Sequence, residues 1–216
     1  MNVTICFQSA PDLNLAGILR TWRRLWQRAI LALLLLLPVL ASAAPALNGT
    51  SPQKIWAQAG QSHWIAQGRG SRVLYVIFDP NCPYCHMLID ELQSQIKPMH
   101  LQVRYLVVGF LAPSSAGKAA YILQAKDPLA AILQNEKKFN MKSFGGVPET
   151  LASRASEKIL RHNLVLLRSC GRKVVPTMIY PQKGGKIRIV QGALDASNLH
   201  EVLQEIPLHR QPLSGH

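Results

Sequence analysis

The sequence predicts an α/β fold, and three observations carry that reading. An apolar run at residues 73–78 (VLYVIF) leads through Asp79-Pro80-Asn81 straight into Cys-Pro-Tyr-Cys at residues 82–85. A stretch of helical texture, about residues 113–170, separates the next apolar strand from the one after it. The chain then closes on two strands joined by a turn, followed by an amphipathic helix.

Each element has its own signal. Residues 44–51 (APALNGTS) read as a spacer. Ile55, Trp56, Ala59, Trp64 and Ile65 fall near helical intervals, so residues 52–67 predict one amphipathic linker helix with Gly60 as a weak point, ending at Gly68-Arg69-Gly70. The β-branched and aromatic content of residues 73–78 predicts a buried strand. Asn81 reads as the N-cap of a helix from Cys82 to about Gln95, with Met87, Leu88, Leu92 and Ile96 on one stripe. Residues 101–110 (LQVRYLVVGF) alternate and then turn wholly apolar, as a strand entering the core would. Helices are expected from Pro113 to Ala125, from Asp127-Pro128 to Lys138, and over residues 149–169, where Leu151, Ile159, Leu160, Leu164 and Leu167 form a stripe. Residues 174–180 and 187–191 read as a hairpin, and Asp195 as the cap of a last helix carrying Leu199, Val202 and Leu203.

Strand, CxxC helix, strand, helices, strand, strand, helix is the order of a thioredoxin fold with an inserted helical subdomain. Parallel βαβ units continued in series would not end in a hairpin. The expected organisation is a leader with a signal peptide at 1–43, a spacer and linker helix at 44–72, a thioredoxin-like catalytic domain at 73–207 and a flexible tail at 208–216.

The leader reading rests on four arginines (Arg20, Arg23, Arg24, Arg28), an apolar run over residues 29–40 and the small residues Ala41-Ser42-Ala43. Cleavage is expected after Ala43, which sends the chain to the periplasm and removes Cys6. The apolar run is short for a membrane span and is interrupted by Pro38, which argues against an uncleaved anchor. Four Arg and Asp12 leave with the leader, so the formal charge falls from +13 to +10. Scattered basic residues and 6% aromatics offer no nucleic-acid signature, and a solvated basic surface is expected. Cys82, Cys85 and Cys170 are too few for a disulfide scaffold; a catalytic pair plus one cysteine fits better.

Thiol–disulfide exchange needs a thiolate that attacks and a second sulfur that resolves the mixed disulfide. Cys82 is expected to be the exposed nucleophile, its pKa lowered by the unpaired N–H groups of the helix N-terminus. Cys85, one turn deeper, is expected to resolve. Pro83 suits the first helical position, and Tyr84 can contact substrate. Cys-Pro-Tyr-Cys-His also matches the signature for covalent haem, with Met99, Met141 and Met178 as candidate axial ligands. A buried strand running into the motif is the wrong context, so His86 reads as a residue flanking the disulfide. Zinc would need four ligands, and no second cysteine pair exists. No cofactor and no metal are expected. Pro176 stands where the strand after the helices begins, and a cis bond there would leave the backbone of Val175 free to pair with a polypeptide in a groove. Cys170 reads as a small buried residue, with a third redox thiol that exchanges with Cys82 or a partner as the other reading, and Asp79 as a turn carboxylate or a proton carrier for Cys85.

The segments WAQAGQSHWIAQG (56–68), YVIFDPNCPYCH (75–86), LVVGFLAPSSAGKAAYILQAKDP (106–128) and VVPTMIY (174–180) together resemble the DsbC/DsbG family of periplasmic thiol:disulfide interchange proteins. The resemblance implies catalysis through Cys82 and Cys85, a groove formed with Val175, Pro176, Pro83 and Tyr84, and a cis Pro176. It also implies exported cysteine-containing polypeptides as substrates and a membrane redox partner that recycles the dithiol. The family carries an N-terminal dimerisation domain before the linker helix; here only residues 44–51 precede that helix, so a monomer is expected. Val175 replaces the family's Thr. Two alternatives stand beside exchange: a disulfide isomerase and chaperone of the family's type, which the missing dimerisation domain argues against, and a redox-inert polypeptide-binding module, which a complete CxxC argues against.

Overall fold

The computed structural model describes residues 50–208. The leader, its cleavage site, Cys6 and the tail beyond Leu208 lie outside the described residues. Five strands form one sheet in the order β1-β3-β2-β4-β5. They are β1 (Ile65–Gln67), β2 (Arg72–Phe78), β3 (Leu101–Val107), β4 (Thr177–Pro181) and β5 (Ile187–Gln191). β2 and β3 run parallel, and every other neighbouring pair is antiparallel. The helices among the described residues are α1 (Pro52–Gln61), α2 (Pro83–Gln95), α3 (Ser115–Gln124), α4 (Pro128–Lys137), α5 (Arg154–Ser169) and α6 (Ala196–Glu205). None is long and apolar enough to cross a membrane.

β2 is the central strand because its sequence can be buried on both faces. Leu74 through Phe78 are all buried, as expected for a continuous apolar run rather than an alternating one. Ile77 sits opposite Leu106 on one side and Thr177 on the other. Phe78 meets the Tyr105 ring edge-on at 5.8 Å. This strand delivers its last residue, and the turn after it, to the N-terminus of α2.

The linker helix is shorter than its apolar spacing predicts. α1 stops at Gln61, with Ser62 extended and its N–H bonded to Ala59 O. Ile65 pairs with Tyr105 in an antiparallel edge strand, and Trp64 packs under the Arg104 guanidinium at 4.4 Å. The second half of the supposed helical stripe thus finds its burial against β3. A domain boundary at residues 72/73 would cut β1 from the sheet it belongs to.

Three other boundaries move. β3 ends at Val107 rather than 110, because the N–H groups of Phe110 and Leu111 turn to the Asp79 carboxylate. β4 begins at Thr177 rather than 174, after Pro176, which has no N–H to offer a ladder. α5 begins at Arg154, not 149. Its first turn is capped by Ser153, whose Oγ accepts from the Ser156 N–H at 3.2 Å, while Leu151, counted in the helical stripe, is 93% exposed. Ser153→Ala is therefore expected to cost about 1 kcal/mol of stability, measured as a lower urea midpoint with unchanged slope.

The insertion between β3 and β4 consists of α3, α4 and α5. α5 is tied to the sheet through Asn163, whose Nδ2 donates to Val107 O at 2.9 Å. α4 opens on Asp127-Pro128 as the sequence suggests, with the Asp127 carboxylate accepting from the Ala130 N–H. Both α3 and α4 reach the CxxC turn.

Candidate active site

The turn between β2 and α2 is built on Asp79. Its carboxylate is buried, with both oxygens taken: Oδ1 accepts from the Asn81 N–H (3.0 Å) and the Ser115 hydroxyl (2.7 Å), and Oδ2 from the N–H groups of Phe110 (2.7 Å) and Leu111 (3.1 Å). So engaged, Asp79 holds the turn together. The N-cap of α2 is Cys82 rather than Asn81. A residue before proline is driven out of the helical region, and Cys82, followed by Pro83, is extended (φ −84°, ψ 114°). Asn81 is left to bond across the turn. Its Nδ2 donates to Ser114 Oγ (2.8 Å) and Ser115 Oγ (3.0 Å), and its Oδ1 accepts from Lys118 Nζ (2.9 Å) and the Gly145 N–H (3.2 Å).

Cys82 and Cys85 stand as free thiols. The Cys85 N–H donates to Cys82 Sγ at 3.2 Å, and Cys82 Sγ lies 3.7 Å from the Val175 carbonyl. The expectation that Cys82 is exposed does not hold: it is 3% exposed and Cys85 1%. The Val175 backbone, brought alongside by the start of β4, covers it. What separates the two sulfurs is proton affinity. The Cys82 pKa is lowered, chiefly by the hydrogen bond from the Cys85 thiol and then by the N–H groups of Cys85 and Tyr84, against burial and the Asp79 charge. The Cys85 pKa is pushed well up by burial, and further by the hydrogen bond and charge of Cys82. A sulfur that ionises readily thus lies beside one that holds its proton.

Cys170 behaves differently. It is half-buried at the end of α5, donates to Leu166 O at 3.3 Å, and burial raises its pKa to about 12. The folded chain therefore holds this proton more tightly than the unfolded chain, whose thiol titrates near the ordinary value of 9. That contribution to stability is complete below pH 9 and is lost as pH rises towards 12. Two outcomes are expected. Iodoacetamide at neutral pH modifies Cys82 well before Cys170, read by peptide mass. Cys170→Ala also flattens the fall in denaturation midpoint across the alkaline window.

The remaining sequence candidates gather around Cys82. Pro83 is in the first turn of α2, Tyr84 is exposed, and the Val175–Pro176 bond is cis. Val175 is mostly covered, and its carbonyl faces the sulfur. His86 is engaged: its Nδ1 lies 3.0 Å from Glu136 Oε2, and its ring stacks on Phe139 at 4.5 Å. Of the sulfurs considered as haem ligands, Met178 is buried in β4 and Met141 is exposed.

Several site residues escaped the sequence reading because they come from the insertion. Glu136 holds His86, and burial pushes its carboxyl pKa up against the bonds from Asn135 and His86. Asn135 donates to both Pro80 O and Glu136 Oε1 at 3.0 Å, joining α4 to the turn. Gly145 lies so close to the turn that a Cβ would run into Pro80 O and Asn135 Oδ1. Lys118 is buried in α3 with its Nζ on three oxygens: Asn81 Oδ1, Gly145 O (2.7 Å) and Ser143 O (3.4 Å). A lone lysine within the apolar text SSAGKAAYIL was the available signal.

A CxxC at the first turn of a helix fed by the central strand of such a sheet defines a thioredoxin-like dithiol domain. The sequence matches the thioredoxin-like domain family over residues 61–207, and the chain belongs to that family. Two curated relatives are both thiol:disulfide interchange proteins DsbG. That of Pseudomonas aeruginosa is 33% identical over 156 residues, covering 70% of this chain and 59% of the relative. That of Escherichia coli is 29% identical over 153 residues, covering 70% and 61%. The chain thus spans about three fifths of the length of these relatives. The fold is shared with a periplasmic thioredoxin-like protein from Salmonella enterica serovar Typhimurium (TM-score 0.51, 21% identity, 70% of this chain and 94% of that one). It is shared equally with the catalytic domain of Proteus mirabilis ScsC (TM-score 0.51, 22% identity, 72% and 98%).

Proposed function

We propose that the protein is a periplasmic thiol:disulfide oxidoreductase that exchanges disulfides, or reduces oxidised cysteines, in exported polypeptides through Cys82 and Cys85. The observation that carries this reading is the pair of free thiols at the N-terminus of α2, with the Cys85 N–H on Cys82 Sγ at 3.2 Å, and the opposed directions of their proton affinities support it. In the reducing direction the Cys82 thiolate attacks a substrate disulfide, forming a mixed disulfide and expelling one substrate thiolate. Cys85 then loses its proton and attacks Cys82 Sγ; the Cys82–Cys85 disulfide forms and the second substrate thiolate leaves. Two electrons pass to the substrate. The reverse sequence oxidises a substrate dithiol.

The environment of Cys85 changes in step with this sequence. Beside the thiolate, both the hydrogen bond and the charge of Cys82 add to burial in raising the Cys85 pKa. Once Cys82 Sγ is bound in the mixed disulfide it carries no charge, and the Cys85 proton is released more easily. Tyr84, Pro83 and the Val175–Pro176 backbone form the rim against which a polypeptide would lie. The names of the curated relatives and the periplasmic structural neighbour support the location and the substrate class. A membrane redox partner would return the dithiol to its working state.

The test is insulin-disulfide reduction and reduced-ribonuclease refolding by the full chain, wild type against Cys82→Ser. Activity in either assay that disappears in the variant is expected. Activity that survives it would overturn the proposal, as would inactivity of the wild type in both.

A further inference from the structure

Lys118 poses a physical problem that disulfide exchange by itself leaves unexplained. A buried ammonium ordinarily has a carboxylate in contact. Among the described residues the ion pairs are His86–Glu136 and Arg161–Glu157, and Lys118 belongs to neither. Its acceptors are three neutral oxygens, matching the three donors of an ammonium. A buried anion stands close by in the same network. The Asp79 carboxylate is in contact with neutral donors alone, and two of those, the Asn81 N–H and the Ser115 hydroxyl, belong to Asn81, which bonds Lys118, and to Ser115, which bonds Asn81. Asn81 is common to both charges: its N–H meets Asp79 and its Oδ1 meets Lys118, and its chain neighbour is Cys82.

We propose that Lys118 is a positioning residue for exchange at Cys82. Through Asn81 it sets a positive charge against the Asp79 carboxylate across the CxxC turn, so that the thiolate forms beside a balanced pair rather than beside an uncompensated anion. Of the other charged groups near the turn, Lys173 is exposed to solvent, with its Nζ over the Phe110 ring at 4.2 Å and not on the Asp79 carboxylate. Glu136 on α4 is negative when ionised and is occupied with His86 on α2. Asp90, on α2, also acts on Glu136 and adds negative charge. The inserted helix α3 thereby contributes a charge to the dithiol site as well as a wall. The inference rests on the exchange reading, but its measurement uses the protein's own sulfur and no substrate. A chain that fails to reduce insulin would still test Lys118.

The readout is the pH dependence of Cys82 alkylation by iodoacetamide in the full chain. Lys118→Met, which keeps the side-chain length and removes the charge, is expected to raise the midpoint by about one pH unit. Lys118→Arg should stay much nearer to wild type. Asp79→Asn should lower the midpoint, and combining it with Lys118→Met should bring it back towards the wild-type value. A merely structural lysine would not produce this opposed pair of shifts. Should the Met variant fail to fold, the wild type decides: the ¹³Cε resonance of Lys118, assigned by its loss in Lys118→Arg, must move with the Cys82 titration. A folded Lys118→Met protein with an unshifted midpoint, or a Lys118 resonance indifferent to Cys82, overturns the proposal.

Discussion

Cys82→Ser is expected to lower disulfide exchange by about three orders of magnitude or more, because the variant keeps the hydrogen-bonding site and loses the atom that ionises. The N–H groups of Cys85 and Tyr84 that stabilise a thiolate would then face a hydroxyl with no tendency to ionise near neutral pH. Cys85→Ser should fail at a different step. Its Cys82 still attacks, but no second sulfur expels the substrate, so a mixed disulfide accumulates and is visible on a non-reducing gel. The Cys85 thiol also provides the largest contribution lowering the Cys82 pKa. Its variant should therefore show an alkylation midpoint for Cys82 above the wild-type one. Equal turnover in both variants and wild type, measured by insulin reduction, would remove Cys82 from the chemistry.

Asn81→Ala is expected to destabilise the fold by about 3 kcal/mol. The side chain makes four hydrogen bonds, to Ser114, Ser115, Lys118 and Gly145. Truncation leaves a buried Lys118 donor and the Gly145 N–H without that acceptor, and such orphaned groups carry the full cost of their desolvation. Asn198→Ala is the control. Asn198 Nδ2 bonds to the Asp195 carboxylate on an exposed surface, and its loss should stay within about 0.5 kcal/mol. Urea unfolding of the reduced proteins compares the two, and a loss below about 1 kcal/mol for Asn81→Ala would contradict the account of the turn.

How much of this was legible in the sequence depends on the distance over which each feature is encoded. β2, α2, β5 and the Asp127 and Asp195 caps are local, and their residues carry the apolar period or the capping chemistry within a few positions. The end of the linker helix is not legible, because Trp64 and Ile65 suit a helical stripe and an edge strand equally well. Only the presence of β3 beside them decides between the two. Asn81 and Cys82 exchanged places as N-cap for a local reason, the restriction Pro83 imposes on the residue before it. The three-residue sharing among Asp79, Asn81 and Lys118 had no such signal, since a hydrogen bond spanning 37 positions leaves no period in the chain.

By itself the sequence determined the order of elements and set two cysteines in the first turn of a helix at the end of a buried strand. It determined the sulfurs' spacing too, because Pro83 and the helix N-terminus are local facts. Tertiary structure alone decided how those sulfurs are buried and what lies over them. The Val175 carbonyl arrives from 93 positions away to cover Cys82, and α3 and α4 bring Lys118, Asn135 and Glu136 onto the turn. The physical reason is that a thiol's proton affinity depends on burial, charge and donors within a few ångströms. In this chain the donors and charges, from Cys85, Tyr84 and Asp79, are sequence neighbours, whereas the burial arises only once Val175 and the inserted helices have closed on the turn.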